Sequence, residues 1–333
     1  MTITNPRFSI LQYQLTQHTL AGARRENQDR IATVEKDHSV LMALADGLGG
    51  HKGGAQAAEA LVQTVTKPFL KIPQPTIHDP SVFMVFSVLS AHRVINARAR
   101  RMNKSQSGLT TCVVCLVQDG VAYWAHVGDS RLYHIRDGKL LNRTTDHTTT
   151  AQLIDDGIIN GNSSHTQKMK SKLLRCVGGA FRPEITLSPP TLLEEGDTLL
   201  LCSDGLWQPF DDDELCEKFK GSDINDVVED LLIIAEKRMK KRCDNISVVA
   251  LRWEEETTTS PTLRADSDKE IDQELLWQQI KDRSRRKNKY KSNNGALATG
   301  NKISNDTNTS NRDALLSRIE DLEAFVDSID EQL

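Results

Sequence analysis

Apolar positions follow two rhythms along the first 253 residues, a period of two and a period near 3.6. Residues 8–15 alternate as a half-buried strand does, and residues 31–34 and 40–44 read as two more strands. Residues 53–70 have the alanine-rich composition of a helix. Over Pro80–Arg101 the residues Val82, Val85, Phe86, Leu89, Val94 and Ile95 keep helical spacing. Strand runs at 109–117, Val121–Val127 and 131–135 follow, with Asp119-Gly120 and Asp137-Gly138 as hairpin dipeptides. Short polar helices are predicted over 148–156 and 168–176. A strand at Thr198–Cys202, helices at 212–219 and Ile224–Met239, and a last strand at Ile246–Trp253 complete the pattern. Antiparallel runs with helices in pairs predict an α+β sandwich, not a doubly wound parallel sheet. No G-x-G-x-x-G follows the first strand and no G-K-S/T occurs, which argues against the familiar nucleotide sites.

The pattern breaks after Trp253, so residues 1–253 form the expected globular domain. Residues 254–311 read as a linker: charged and Thr-rich at first, basic at Lys281, Arg283, Arg285, Arg286, Lys287 and Lys289, then rich in Asn, Ser, Thr and Gly. The last of these compositions buries too little apolar surface to fold alone. The basic run could dock an acidic partner or a membrane surface, but a solvated helix face is the simpler reading. Residues 312–333 recover order. Leu315, Ile319, Leu322, Val326, Ile329 and Leu333 make a short heptad seam that calls for a cover: a second copy, a partner helix or the globular domain itself.

Bulk composition narrows the class only mildly. A formal net charge of −4 over 333 residues selects neither nucleic acid nor membrane as partner. Residues 1–20 lack the basic start and apolar stretch of a secretory signal, and the longest apolar run, 82–89, is far short of a membrane span. Six cysteines lie in core-like segments; Cys112 and Cys115 have C-x-x-C spacing, but on a strand they face opposite ways. Buried free thiols in a reducing cytoplasm are the expectation.

The candidate chemistry lies in aspartates at strand ends. Asp46 in Ala45-Asp46-Gly47-Leu48-Gly49-Gly50-His51, Asp204 in Ser203-Asp204-Gly205, Asp244 in Asp244-Asn245 and Asp129 in Gly128-Asp129-Ser130-Arg131 each follow or precede an apolar run. Hard oxygen ligands at the rim of a buried sheet suggest a carboxylate cage for Mg²⁺ or Mn²⁺, and a metal-dependent hydrolase of phosphate esters. Turn-capping is the commonest use of Asp-Gly, and Asp119-Gly120 and Asp137-Gly138 read as such turns. Asp211-Asp212-Asp213 precedes a helix, where acidic residues complement the macrodipole, and is read as structural. His126, His134 and His147 are read as core, rim or anchoring residues.

Taken in order, seven motifs resemble the metal-dependent PPM/PP2C family of serine/threonine protein phosphatases, in its bacterial form. They are Arg24-Arg25-Glu26-Asn27-Gln28-Asp29, Asp46-Gly47-Leu48-Gly49-Gly50-His51, Ser107-Gly108-Leu109-Thr110-Thr111, Gly128-Asp129-Ser130-Arg131, Asp146-His147, Ser203-Asp204-Gly205-Leu206-Trp207 and Asp244-Asn245-Ile246-Ser247. The resemblance covers about residues 8–252 and implies two antiparallel sheets flanked by helix pairs. It also implies a binuclear Mg²⁺ or Mn²⁺ centre whose bridging water attacks phosphorus directly. Asp46 would bridge both ions, with the Gly47 carbonyl on one and Asp204 and Asp244 on the other. Asp129 matches the position that supplies a weaker third ion, and Arg24 the arginine that grips the phosphate. Asp29 and Gln28 would support the centre through water. The implied partners are a phosphorylated protein and a cognate serine/threonine kinase.

Two positions depart from the family pattern. Gln28 stands where an acidic residue is common, which makes one water-mediated contact neutral. Leu48 stands where some relatives carry the proposed general-acid histidine, leaving that role unassigned. Residues 147–177 correspond to the family's variable flap. These departures and the long tail keep a second class of function in play, a catalytically weak phosphoprotein-binding or scaffold protein acting through its tail.

Overall fold

The computed structural model describes residues 13–254, apart from 37, 49–52, 75, 103–107 and 156–172. The expected linker, basic run and heptad seam lie outside the described residues, as do His51 and most of the expected flap.

Two antiparallel sheets stack face to face. The first contains β1 (Tyr13–Leu20), β6 (Arg131–Arg136), β7 (Lys139–Arg143), β10 (Thr198–Cys202) and β11 (Ile246–Trp253), in the order β1-β11-β10-β6-β7. The second runs β2 (Arg30–Lys36), β3 (Ser39–Ala45), β4 (Cys112–Gln118), β5 (Val121–Val127) and β8 (Thr186–Leu187), with β9 (Thr191–Leu192) also paired to β5. Helices α1 (Gly54–Lys71) and α2 (Pro80–Arg101) cover the outer face of the second sheet. The shorter α4 (Asp204–Trp207) and α5 (Asp212–Glu217), with α6 (Ile224–Met239), cover the outer face of the first. A short α3 (Thr149–Asp155) leads out of β7. The architecture is the α+β sandwich that the strand and helix pattern predicts.

Continuous apolar runs in the central strands follow from burial on both faces. Leu41 and Ala43 of β3, and Cys112, Val114 and Leu116 of β4, pack under α1 and α2. Their neighbours Val40, Met42, Leu44, Val113, Cys115 and Val117 fill the space between the sheets, with Leu199, Leu201, Val249 and Leu251 opposite. The C-x-x-C pair is thus split between two cores. All six cysteines are free thiols, five of them buried.

Several elements differ from the pattern-based reading. Of the strand expected at 8–15, residues 8–12 lie outside the described residues; the described β1 runs on to Leu20, in register with β11 from Tyr13 opposite Trp253 to Leu20 opposite Ile246. As an edge strand it tolerates the polar run Thr16-Gln17-His18-Thr19, which hid it. Strand β7 is another polar edge, folded onto β6 by the Asp137-Gly138 turn. Residues 109–111 leave the ladder early to serve the neighbouring loop. The helix expected at 168–176 falls largely outside the described residues, and its end is not helical: Leu173 bridges Thr148 and Val177 bridges Thr110. Both hairpin dipeptides behave as predicted, with Asp119, Gly120, Asp137 and Gly138 at φ of 50°, 72°, 50° and 73°.

Phe69 on α1 is fully buried in the outer core, with the Phe83 ring 6.1 Å away and the Lys36 ammonium 4.7 Å over its face. Phe69→Ala should cost about 3–5 kcal/mol. Urea unfolding should show a lowered midpoint at unchanged slope; a cost below about 1 kcal/mol would contradict this packing.

Candidate active site

Antiparallel register brings the singled-out aspartates to one rim. The start of β2 pairs with the end of β3, Arg30 opposite Ala45, so Asp29 and Asp46 emerge side by side. In the same way Cys202 at the end of β10 lies opposite Val248 near the start of β11 and Arg131 at the start of β6. Asp204, Asp244 and Asp129 therefore leave the sheets at the same end. The charges of Asp29, Asp204, Asp129 and Asp244 all act on Asp46, which puts the four within electrostatic reach of it.

Asp46 and Asp29 are held by small polar residues to which the sequence assigned no separate role. The Asp46 backbone is gripped from both sides. Its N–H donates to Thr111 Oγ1 at 2.9 Å, and its carbonyl accepts from Thr111 N and Thr110 Oγ1, each at 2.9 Å. Thr111 Oγ1 also meets Ser130 Oγ at 2.7 Å, which ties this loop to the Asp129 turn. Ser203 Oγ donates to Asp29 Oδ2 at 2.8 Å and accepts from Ser247 N at 2.9 Å. Asn245, nearly buried, spends its whole amide on the 21–28 loop: Nδ2 donates to the carbonyls of Ala21 and Glu26, and Oδ1 accepts from Gln28 N. That staple carries Arg24 to the rim, where its Nη2 donates to Asp244 Oδ2 at 2.5 Å.

The glycines that follow Asp46 and Asp204 differ from the hairpin glycines. Gly47 and Gly205 keep φ outside the left-handed region, so conformational freedom is not their reason. A Cβ on Gly47 would fall 2.4 Å from the Gly54 carbonyl carbon and 2.7 Å from the Gln28 oxygen. One on Gly205 would fall 2.1 Å from the Asn245 oxygen. Only glycine lets the backbones behind Asp46 and Asp204 close up. These Asp-Gly pairs are close-packing sites, whereas Asp119-Gly120 and Asp137-Gly138 are turns.

The family model described as protein phosphatase 2C matches residues 17–241 of the chain. The chain belongs to the protein phosphatase 2C family. Curated members similar to it include the serine/threonine protein phosphatase PstP of Mycobacterium tuberculosis, 28% identical over 227 residues, or 68% of this chain. A putative 2C-type phosphatase of Streptococcus pyogenes is 27% identical over 70% of this chain and 94% of its own length. The chain spans 42% of the length of PstP. Among solved structures, the S. agalactiae serine/threonine phosphatase superposes with a TM-score of 0.65 at 28% identity, covering 73% of this chain and all of that one. The PstP catalytic domain in complex with 2 manganese ions gives a TM-score of 0.60 at 26% identity, covering 73% and 99%.

In this protein phosphatase 2C member the rim crowds five carboxylates, with Arg24 paired to Asp244. Burial and then Asp29, Asp204, Asp129 and Asp244 drive the Asp46 carboxyl well above the usual range. Burial, then Asp129, Asp244 and Asp29, push Asp204 up to about 8. Burial and Asp146 push Asp129 up to about 6. Asp29 is raised by burial against the hydrogen bonds of Ser247, Ser203 and Asp46, and its Oδ1 is buried with no hydrogen-bond partner. Crowded oxygen donors of raised pKa and an orphaned carboxylate oxygen fit a hard divalent cation, which would invert every one of these shifts. Among the described residues no three carboxylate, imidazole or thiolate groups close round one point.

The histidines do other work. His147 accepts from Gly128 N through Nδ1, meets Thr186 Oγ1 through Nε2 at 2.9 Å and stacks on His126. Burial, His126 and Arg175 push it down to about 3, so it is neutral and structural. Asp212 binds Arg143 at 2.6 Å and Tyr133 Oη at 2.9 Å, in keeping with a structural acidic cluster. Leu48 is fixed through its backbone, N–H to the Leu109 carbonyl, and brings no titratable group.

The raised Asp204 sets a pH dependence. A carboxyl with a folded pKa near 8 and an ordinary value of 3.8 binds its proton more tightly in the folded chain. The stability it contributes is complete below about pH 4 and lost as pH rises to about 8. In chelator, the melting temperature of the wild type should fall across that window more steeply than that of Asp204→Asn. Saturating Mn²⁺ should remove the difference in slope. Parallel curves in chelator would contradict the crowded rim.

Proposed function

We propose that the chain hydrolyses phosphoserine and phosphothreonine in proteins, reversing a serine/threonine kinase, with two Mg²⁺ or Mn²⁺ ions at the rim. The observation that carries this reading is the convergence of Asp46, Asp204 and Asp244 at one strand-end rim with Arg24 beside them. Asp46, the Gly47 carbonyl, Asp204 and Asp244 would hold the two ions, and Asp129 with Asp204 a weaker third. The manganese-bound PstP catalytic domain supports the same choice of metal. Ions held there supply Lewis acidity: they lower the pKa of an attacking water and neutralise the phosphoryl oxygens.

The chain's own residues then have separate jobs. Arg24 offers a guanidinium fork to two phosphoryl oxygens, and its exposed position leaves it free to exchange Asp244 for substrate. Thr110, Thr111 and Ser130 keep the Asp46 backbone from yielding to the ions' pull. Asp29, locked to Ser203, and Gln28, locked through its backbone to Asn245, steady the water layer. Leu48 has no proton to give a leaving alcohol, which would have to take one from water.

No helix among the described residues is long and apolar enough to cross a membrane. Free, buried thiols support a cytoplasmic site of action. We assign the catalytic unit to residues 1–253 and leave residues 254–333 a docking or self-association role.

Mn²⁺-dependent phosphate release from a phosphothreonine peptide tests the reaction. Losing a supporting partner of a metal ligand costs about 10–100-fold, so Asp204→Asn, which loses a ligand, should fall by more than about 100-fold. A folded, Mn²⁺-loaded wild type that releases no phosphate would overturn the enzyme reading in favour of a phosphoprotein-binding scaffold. A chain ending at Trp253 should keep kcat/KM on the same peptide within about twofold. Loss of activity from that folded truncation would give the tail a part in catalysis.

A further inference from the structure

Arg131 and Trp207 belong to two motifs of the rim, yet neither touches a carboxylate assigned to the ions. Trp207 Nε1 donates to the Asp129 carbonyl at 3.0 Å. The Arg131 guanidinium lies 3.4 Å over the Trp207 ring and makes a two-pronged bond to Asp146, both arms at 2.8 Å. Its Nη1 also donates to Tyr133 Oη at 2.9 Å, and Tyr133 Oη in turn donates to Asp212 at the start of α5. Every nitrogen of the fork is thus engaged, with an aromatic ring on its face and a carboxylate along its edge.

The consequence is geometric. Asp204 opens the four-residue helix α4 and Trp207 closes it, so a bond from Trp207 to the Asp129 backbone links the two carboxylate-bearing segments. Gln208 Nε2, one residue further on, holds Asp204 Oδ2 at 2.7 Å. On the other side Arg131 is two residues from Asp129 and keeps Asp146, whose charge acts on Asp129, engaged in an ion pair. Without that pair Asp146 would be a competing carboxylate beside Asp129.

We propose that Arg131 and Trp207 are positioning residues: together they bolt the Asp129 turn to helix α4, fix the spacing of the Asp129 and Asp204 carboxylates, and withhold Asp146 from them, so that the pair accepts the weaker, third divalent ion. This rests on the assignment of Asp129 and Asp204 under the proposed function. Asp204 also serves a main ion, but there it is joined by Asp46 and Asp244, whose supports, Thr111 and the Asn245 backbone N–H, are separate from this bolt.

Calorimetric titration of the full chain with Mn²⁺ tests the bolt without reference to turnover. Trp207→Phe keeps a ring for Arg131 to lie on and removes the Nε1 donor; Arg131→Lys keeps the charge and removes the fork. In both, the weakest Mn²⁺ binding event should weaken by about tenfold or more, with the tighter events within about twofold of wild type. Asp129→Ala should abolish that event. A weakest event unchanged in Trp207→Phe and Arg131→Lys, but lost in Asp129→Ala, would overturn the bolt alone. Uniform weakening of every event with a lowered melting temperature would also overturn it, as a merely structural role. A wild type with no weak event, or one that survives Asp129→Ala, would overturn the site assignment and the bolt together.

Discussion

Like charges crowded at the mouth of a β-sandwich are the constraint on which this molecule turns. Five carboxylates at one rim, several of them largely withdrawn from water, repel one another and resist ionisation. A chain gains no stability from such an arrangement. The core under α1 and α2, the core under α5 and α6, and the layer between the sheets supply the stability against which that repulsion is set. The same low-dielectric walls that make the rim costly when bare strengthen its attraction for a divalent cation.

Holding the carboxylates apart and aimed falls to hydroxyls and amides rather than to salt bridges. Thr110 and Thr111 act on the backbone of Asp46, Ser203 on the side chain of Asp29, and Asn245 on the loop that presents Arg24. Neutral donors can fix a carboxylate's direction without cancelling the charge that a cation must find. Arginines are used where full neutralisation is wanted. Arg131 silences Asp146 beside the rim, and Arg136 with His134 satisfies the buried Asp197 far from it. Among the described residues only Arg24 forms an ion pair with a rim carboxylate, and it does so from an exposed position.

Much of this was legible in the sequence. Doubly buried strands such as Val121–Val127 and Ile246–Trp253 gave themselves away by mostly apolar runs, and Pro80–Arg101 by its spacing and its proline at the first turn. The edge strands β1 and β7 did not, because one face meets water and polar residues erase the alternation; their pairing is decided by long-range register. Asp46, Asp204, Asp244 and Asp129 could be found because aspartate beside glycine or asparagine at a strand end is a local signal. Thr111, Ser203 and Asn245 carried no such signal as single residues. Their importance comes from partners 65, 174 and 224 positions away, which no local pattern holds. The nearest clue was their place inside the quoted motifs.

Anomalous scattering at the manganese edge from Mn²⁺-loaded crystals of the full chain is the most direct test of the central claim. Two strong peaks should lie between Asp46, Asp204 and Asp244, with Arg24 released from Asp244 and any weaker peak beside Asp129. Peaks elsewhere on the surface, or none at the rim of a well-ordered, saturated crystal, would contradict the account.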